Sequence, residues 1–377
     1  MLRRVVLPAT ICLVCFAVLC ASFAQAAGFD QKKYEQAVSK AVDFLSKSQA
    51  KDGSFSSQTG AAITGLVTNA LLRSGRTPED PMVAKALKYI EGFAQPDGGI
   101  YAPNSQVRNY ETSIGLVALK AANKDGRYDK IIAAADKFMR DKQWGEAESI
   151  DKSDPRWGGA GYGGRNNRPD LSNTSFMMDA LEATGAGPDD PAVKNALVFV
   201  SRCQNLESEY NTTAFAAKIN DGGFYYTPAA GGASMSKETV PEGGLASYGS
   251  MTYAGLKSMV YAGLTPSDPR VKAAVEWVKK NYDLTSNPGM GPGNGNAGLY
   301  YYYVTFAKAF QALGQDVIED AKGVKRDWRA DLVDELVKRQ QADGSWVNEN
   351  QRFMESNPIL VTGYGLTALT YCKPQAK

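Results

Sequence analysis

The amino-acid sequence repeats one helical pattern six times, and this repetition constrains the fold more than any other feature. Three copies begin at an Asp-Pro pair preceded by a glycine: Asp80-Pro81, Asp190-Pro191 and Asp268-Pro269. Counting from the proline, each has Val at +2, Ala at +5, an aromatic residue at +8 and a β-branched residue at +9. The same register without proline fits segments at Glu35, Asp129 and, more loosely, Asp327. A period of this size predicts an array of helical units.

Each copy carries the signals of a helix that ends in a tight turn. Asp before Pro is typical of an N-cap and a first helical residue, and apolar residues at +2, +5 and +9 bury one stripe of the helix. Position +13 is glutamine in four copies, namely Gln49, Gln143, Gln204 and Gln341. Asp-Gly turns follow at Gly53, Gly98, Gly222 and Gly344, where glycine can adopt a positive φ.

A second helix, rich in small residues, follows each turn. Its copies align on one threonine column, with a tyrosine in the fifth repeat: Thr64, Thr112, Thr174, Thr252, Tyr303 and Thr362. First-turn packing and back-bonding explain such a column better than a ring of ligands does. An open superhelix needs polar capping repeats at its ends, and the last repeat is as apolar as the others, so we favour a closed ring.

These patterns predict an all-α protein, an α/α toroid (α6/α6 barrel) of six helix pairs with long Gly-rich loops on one face. The repeats fall at about 31–75, 76–125, 126–185, 186–263, 264–314 and 322–372, within a single toroid over residues 27–377. The loops are enlarged in the third, fourth and fifth repeats and carry aromatic residues. Binding residues usually lie on such loops.

The N-terminus has the pattern of a signal peptide over residues 1–26. Arg3 and Arg4 precede an apolar run, and Ala24-Gln25-Ala26 supplies small residues for cleavage. This predicts export to the periplasm or secretion, with no membrane span after cleavage; an uncleaved anchor is the alternative. The chain has 42 basic and 40 acidic residues, so loss of the two arginines leaves no net charge. A nucleic-acid footprint is therefore not expected.

The sequence contains few of the histidine and cysteine residues that bind transition metals or form disulfides. The chain contains no histidine, and after signal cleavage it keeps only Cys203 and Cys372, which fall in repeats that are not neighbours. We therefore expect no disulfide, no metal site and no cofactor.

The turn motifs resemble those of a known family. Gln341-x-Asp343-Gly344-Ser345-Trp346 and Gln49-x-x-Asp52-Gly53-Ser54-Phe55 are similar to the glutamine-tryptophan repeat of squalene and oxidosqualene cyclases, which protein prenyltransferase β subunits share. The resemblance implies a toroid of six outer and six inner helices around a central cavity, and an apolar, isoprenoid-like ligand. The same toroid also serves other functions.

The sequence departs from the catalytic motifs of these families. Zinc-dependent protein prenylation needs a set of zinc ligands that includes histidine, and this chain has no histidine. Cyclisation of the hopene type needs an Asp-x-Asp-Asp motif, and the one comparable pair here, Asp189-Asp190, contains an N-cap. The complement-type thioester motif is absent as well, since Gln204-Asn205 follows Cys203. Whether the chain is an enzyme stays open; if it is one, the resemblance implies a terpene cyclase-like or transferase-like activity.

Candidate site residues come from breaks in the repeat symmetry. Just before the threonine column, Glu111 and Asn173 replace apolar residues. We take Glu111 and Asp170 as candidate catalytic acids, with helix capping as the alternative. The candidate ligand-binding residues are Tyr110, Arg168, Asn173, Tyr300, Tyr302 and Tyr303; the last three belong to a run of four tyrosines, of which at least one should face the cavity.

Three functions fit these residues. The first is binding of a hydrophobic small molecule, or of an unknown protein partner, inside the ring, and an aromatic-lined cavity would favour it. The second is a carbohydrate-active enzyme that uses Glu111 and Asp170 as paired acids, which a wide polar cleft would favour. The third is a structural interaction module of the cell envelope, favoured by a ring that its own side chains fill.

Overall fold

Two layers of helices build the computed structural model, which describes residues 28–165 and 168–373. The signal peptide expected over residues 1–26 lies outside the described residues. The outer helices are α1 (Gln31–Ser48), α3 (Pro81–Glu91), α5 (Asp129–Asp141), α7 (Pro191–Arg202), α10 (Pro269–Lys280) and α12 (Trp328–Arg339). The inner helices are α2 (Ala62–Arg73), α4 (Arg108–Ala122), α6 (Leu171–Thr184), α9 (Gly249–Tyr261), α11 (Leu299–Leu313) and α13 (Pro358–Cys372).

The outer helices α3, α7 and α10 begin directly after the aspartates that the sequence predicts as N-caps. The Asp80 carboxylate accepts the backbone N–H of Met82 at 3.0 Å, and Asp190 and Asp268 cap α7 and α10 in the same way. Proline is the first helical residue in all three. The apolar stripe then faces the inner layer, where Val83, Ala86 and Ile90 are buried. Cap and stripe together place each outer helix against the inner ring.

The inner helices form a closed ring. Each packs against the next in the order α2, α4, α6, α9, α11 and α13, and α13 then packs against α2. In the outer layer α12 packs against α1. This closure confirms the predicted α/α toroid over the open superhelix, and it places every outer-to-inner loop on the face where the inner helices begin.

Glutamines at the ends of outer helices fasten each repeat to the next. Nε2 of Gln49 donates to the carbonyl oxygens of Gly53 in its own turn and Met82 in the following outer helix, at 3.0 and 2.8 Å. Gln143 and Gln204 make equivalent pairs of bonds. In the sixth repeat Gln340, the C-cap of α12, takes this role, although the sequence register aligns Gln341 with the other three glutamines. Gln340 donates to Ala37 in α1 and so closes the ring.

The threonine column joins the two layers. The hydroxyl oxygens of Thr64, Thr112, Thr174, Thr252 and Thr362 each accept a backbone N–H from the preceding loop at 2.9–3.1 Å. In the fifth repeat the Tyr303 hydroxyl instead donates to the Leu284 carbonyl at 2.7 Å. The threonine column is therefore structural, as the sequence predicted. Its side chains point away from the axis of the ring.

Two small elements were not predicted. A single helical turn, α8 (Ala216–Ile219), lies in the fourth loop, and strands β1 (Val317–Glu319) and β2 (Lys325–Asp327) form an antiparallel hairpin before α12. Among the described residues, no helix combines the length and the apolar character that a membrane span requires.

Candidate functional site

A cavity of about 680 Å³ opens on the face where the inner helices begin. All six outer-to-inner loops and all six inner helices contribute to its wall. Aromatic side chains make up much of that wall: Tyr110, Tyr162, Phe176, Tyr226, Tyr248, Tyr301, Phe353 and Tyr364. Met235, Met251 and Met354 add flexible apolar surface.

One position of the repeat lines the cavity in every inner helix, two residues before the threonine column. Its six occupants are Ala62, Tyr110, Ser172, Ser250, Tyr301 and Leu360. An α-helix turns by about 100° per residue, so this position lies about 200° from the threonine and faces the axis. The position directly before the threonine lies to the side and lines the cavity only at Ile63, Glu111 and Met251.

The aromatic wall is a connected series of ring contacts. Tyr110 meets Phe176 edge-on with centroids 5.0 Å apart, and Phe176 stacks on Tyr301 at 5.9 Å. Tyr301 contacts Tyr364 at 6.0 Å and lies 3.0 Å, oxygen to oxygen, from the Ser172 hydroxyl. Burial raises the pKa of Tyr110 and Tyr301, which keeps both phenols neutral. The wall therefore presents uncharged aromatic surface with a few hydroxyl groups.

Glu111 brings a carboxylate to this wall. Its side chain is 2% exposed, and it accepts the Ala102 N–H at 2.7 Å and the Ser105 hydroxyl at 2.9 Å. Burial raises the pKa of Glu111, and the hydrogen bonds from Ala102, Ser105 and the backbone of Ala61 partly offset this effect. Gly60 packs directly over the carboxylate, where a Cβ would lie 2.9 Å from Oε1. Residues of two loops thus hold Glu111 in place.

Asp170 lies behind the cavity wall. It is the N-cap of α6, where it accepts the N–H of Asn173 at 2.9 Å and a bond from the Asn173 amide at 2.8 Å. Asp170 and Asn173 are both buried and do not line the cavity. Tyr226, which does line it, hydrogen-bonds to Asp170. Arg168 lies 5.9 Å from the ring of Tyr226, also outside the lining. The structure therefore does not place Glu111 and Asp170 on one cleft.

The tyrosine run requires a correction. Tyr300, Tyr302 and Tyr303 do not line the cavity, whereas Tyr301 does. The Tyr302 and Tyr303 hydroxyls donate to the carbonyls of Asp283 and Leu284 at 2.6 and 2.7 Å, so both side chains serve the packing between layers.

Glu355, which the sequence did not single out, holds the start of α11. Its buried carboxylate accepts the N–H groups of Tyr300 and Tyr301 at 3.2 and 2.8 Å, and burial raises its pKa to about 7. Glu355 thereby fixes the helix turn that carries Tyr301 into the cavity.

The environment of Asp170 predicts a measurable pH effect. Burial raises the pKa of Asp170 to about 6, so the folded state binds its proton more tightly than the unfolded chain does. Ionisation then costs stability, and the cost develops as the pH rises from about 4 to about 6. Asp170→Asn keeps an oxygen for the helix cap without the charge. We expect this variant to gain up to about 3 kcal/mol over the wild type at about pH 8 and to lose the advantage at about pH 4.

Chemical denaturation at the two pH values measures this difference. Asp30→Asn makes the same change at the exposed N-cap of α1 and is the matched control. If both variants respond to pH alike, burial of the Asp170 carboxylate does not cost stability as argued.

No three carboxylate or thiol side chains of the described residues are grouped so as to hold a metal ion. The absence of a metal site and of a cofactor stays a prediction. The polar side chains that line the cavity are Glu111, six tyrosines, and the amides and hydroxyls of Gln58, Thr59, Ser105, Gln106, Ser172 and Ser250.

Comparison with known proteins shows which family this chain is similar to. The family model of the squalene-hopene cyclase C-terminal domain matches residues 57–229. The chain is squalene cyclase-like over this region. The squalene cyclase-like region contains both candidate acids, Glu111 and Asp170, and half of the aromatic side chains of the cavity wall. No curated protein matches the sequence.

Solved structures share the fold at low sequence identity. A single-residue variant of the type II terpene cyclase MstE from Scytonema, in the apo form, is 12% identical, with a TM-score of 0.51 over 90% of this chain and 97% of that chain. A D-mannose isomerase is 11% identical, with a TM-score of 0.58 over 93% and 99% of the two chains. An α-amylase from Clostridium perfringens is 12% identical, with a TM-score of 0.53 over 89% and 97%. These enzymes carry out different chemistry, so the likeness establishes the toroid alone.

Proposed function

We propose that this chain binds an apolar, isoprenoid-like small molecule inside the toroid. The observation that carries the proposal is the aromatic wall of the cavity, which runs from Tyr110 through Phe176 and Tyr301 to Tyr364. A concave site of about 680 Å³ with mainly apolar walls and few polar groups is typical of small-molecule sites. The squalene cyclase-like region supports the same ligand class.

The two other functions have less support. A sugar-processing enzyme with paired acids needs both carboxylates at the substrate, and Asp170 is buried behind Tyr226. A ring that serves only as a structural module has no use for an open cavity at its centre. The binding function is compatible with a catalytic role for Glu111, and such an activity would be terpene cyclase-like or transferase-like.

Filling the cavity tests the proposal. Ala62 lies in the inner-helix position that faces the axis, so a larger side chain there extends into open space. We expect Ala62→Trp to abolish most binding of farnesene, measured by displacement of the uncharged fluorophore N-phenyl-1-naphthylamine, while the melting temperature stays near that of the wild type. Ala84→Trp, on the exposed side of α3, is the matched control and should bind normally. Equal binding by both variants would place the ligand elsewhere.

We also propose that the protein is exported. The support is the sequence pattern of residues 1–26, with Arg3 and Arg4 before an apolar run. N-terminal sequencing of the mature protein should begin at Ala27, and an intact N-terminus in the exported fraction would contradict cleavage.

A further inference from the structure

The cavity has a polar corner on one side of its mouth. The polar residues Gln58, Thr59, Ser105, Gln106 and Glu111 line it together, and all come from the first two loops and the start of α4. The remainder of the wall is mostly aromatic and methionine side chains, all of which except Tyr110 come from the other repeats. A ligand that fills the whole cavity therefore meets two environments, one apolar and one polar.

Glu111 is the only carboxylate among the described lining residues, and no lysine or arginine among them accompanies it. Its two oxygens accept bonds from the Ala102 N–H and the Ser105 hydroxyl, and the Ala61 backbone provides a third bond. A carboxylate has about four acceptor sites, so a further donor can bind.

Three arginines outside the lining lie near the wall. Arg108 donates to the Gly163 carbonyl, and Arg168 lies beside Tyr226. Arg352 donates to the Met235 carbonyl and lies beside the ring of Phe353, both of which belong to the wall outside the polar corner.

We propose that the ligand is an amphiphile whose apolar tail lies against the aromatic wall and whose head group, an alcohol or an amine, donates a hydrogen bond to Glu111. This inference rests on the proposed function and specifies its ligand class. The polar corner selects against a phosphate or carboxylate head, because an anion there would face the Glu111 carboxylate with no cation on the wall to offset the repulsion.

Steric features of the corner agree with a small head group. Gly60 has φ +59° and leaves no space for a Cβ between its backbone and Glu111, so the carboxylate cannot retreat in that direction. Ser105 also accepts the N–H of Val107 at 3.0 Å, which fixes the loop beside Glu111. The acceptor atoms are thus held in position before a ligand arrives, which favours a directed hydrogen bond over a loose ionic contact.

Four probes with closely similar hydrocarbon chains test the proposal on the unaltered protein: farnesene, which has no polar head group, and farnesol, farnesylamine and farnesyl diphosphate, which differ from one another in their head group. Displacement of N-phenyl-1-naphthylamine gives each affinity. We expect farnesol and farnesylamine to bind more tightly than farnesene, with the amine tighter by about tenfold, and farnesyl diphosphate to bind most weakly. If farnesyl diphosphate binds as tightly as the alcohol or the amine, the proposal is wrong.

Two variants then locate the effect. Glu111→Gln keeps the shape and an acceptor oxygen but no charge, so the amine should lose its advantage over the alcohol within this variant. Glu276→Gln makes the same change on the exposed face of α10 and should alter none of the affinities. An unchanged amine preference in Glu111→Gln would overturn the role of Glu111. Failure of all four probes to bind the wild type would instead overturn the proposed function itself.

Discussion

Replacement of Asp179 by Asn should destabilise the protein by about 3–5 kcal/mol. Asp179 lies on α6 below the cavity, where its carboxylate accepts bonds from Nζ of Lys257 on α9 at 2.5 Å and of Lys308 on α11 at 2.7 Å. Burial alone would raise the pKa of Asp179, but the two ammonium groups outweigh it and lower the pKa. The variant leaves two buried cations without their counter-ion, and urea denaturation measures the loss.

The pH dependence of the same variant separates lost charge from lost packing. Burial lowers the pKa of Lys257 to about 8 even with Asp179 present. Burial would also lower the pKa of Lys308, but the attraction of Asp179 outweighs the effect of burial and raises that pKa instead. Without the carboxylate, burial should lower the pKa of Lys257 further and should also lower that of Lys308, so the unfolded chain binds more protons than the folded state. Stability of the variant should then rise with pH relative to the wild type.

Two controls complete the Asp179 experiment. Asp334→Asn removes an exposed partner of Lys33 and should change stability very little. A triple variant, Asp179→Leu with Lys257→Met and Lys308→Met, should recover most of the stability that Asp179→Asn loses. The reason is that a neutral cluster leaves no buried charge unpaired. If Asp179→Asn is as mild as Asp334→Asn, the three side chains do not form a coupled cluster.

Asp179 also bears on the cavity. A smaller space of about 30 Å³ lies between Asp179, Lys308 and Phe176, and Phe176 is shared with the aromatic wall above. The charged cluster therefore lies beneath the floor of the apolar cavity and ties three inner helices together. A ligand with an apolar tail would meet Phe176 and gain nothing by passing into the charged cluster.

The outer layer could be predicted from local signals. The Asp-Pro pairs place the starts of α3, α7 and α10 correctly because a cap and a proline act within a few residues of each other. Closure of the ring was also predictable, since the last repeat lacks a polar outer face. These features depend on interactions between residues close in sequence, and the same interactions recur from repeat to repeat.

The cavity was harder to predict, although a usable signal was present. The threonine column fixes the rotation of each inner helix, and a step of two residues reaches the axis-facing position. That step leads to Tyr301 and to Tyr110, whereas a step of one residue leads to Tyr302 and Asn173, of which neither lines the cavity. Polarity alone pointed to Asn173 because a buried hydrogen-bonded cap and a ligand contact look the same in sequence.

The remaining features that the sequence did not predict depend on contacts between residues far apart in the chain. Nothing local distinguishes Gln340 from Gln341, because the choice depends on which amide reaches the Ala37 carbonyl across the closed ring. Glu355 likewise acts on α11 from a loop more than fifty residues away in sequence. Such pairs require the three-dimensional arrangement before their roles can be assigned.

Closure of the ring at α1 depends on Gly344, so Gly344→Ala should be strongly destabilising. Gly344 has φ +90°, and a Cβ there would overlap the carbonyl oxygen of Lys40 in α1. The turn also supplies the carbonyl that Gln340 binds while it bonds to Ala37. The substitution combines a backbone cost of about 1–2 kcal/mol with a clash of about 1–3 kcal/mol or more. Urea denaturation measures the sum.

Gly185→Ala separates the two terms. Gly185 has φ +93° but no atom within 4 Å of the position that a Cβ would take, so it carries the backbone cost without the clash. We expect Gly344→Ala to lose at least about twice as much stability as Gly185→Ala. Faster hydrogen exchange confined to α1, α12 and α13 should accompany it, because the contact that fails is the one between the last turn and the first helix. Equal losses in the two variants would mean that α1 can move away from the turn at no cost, and the ring would then be held closed by the inner helices alone.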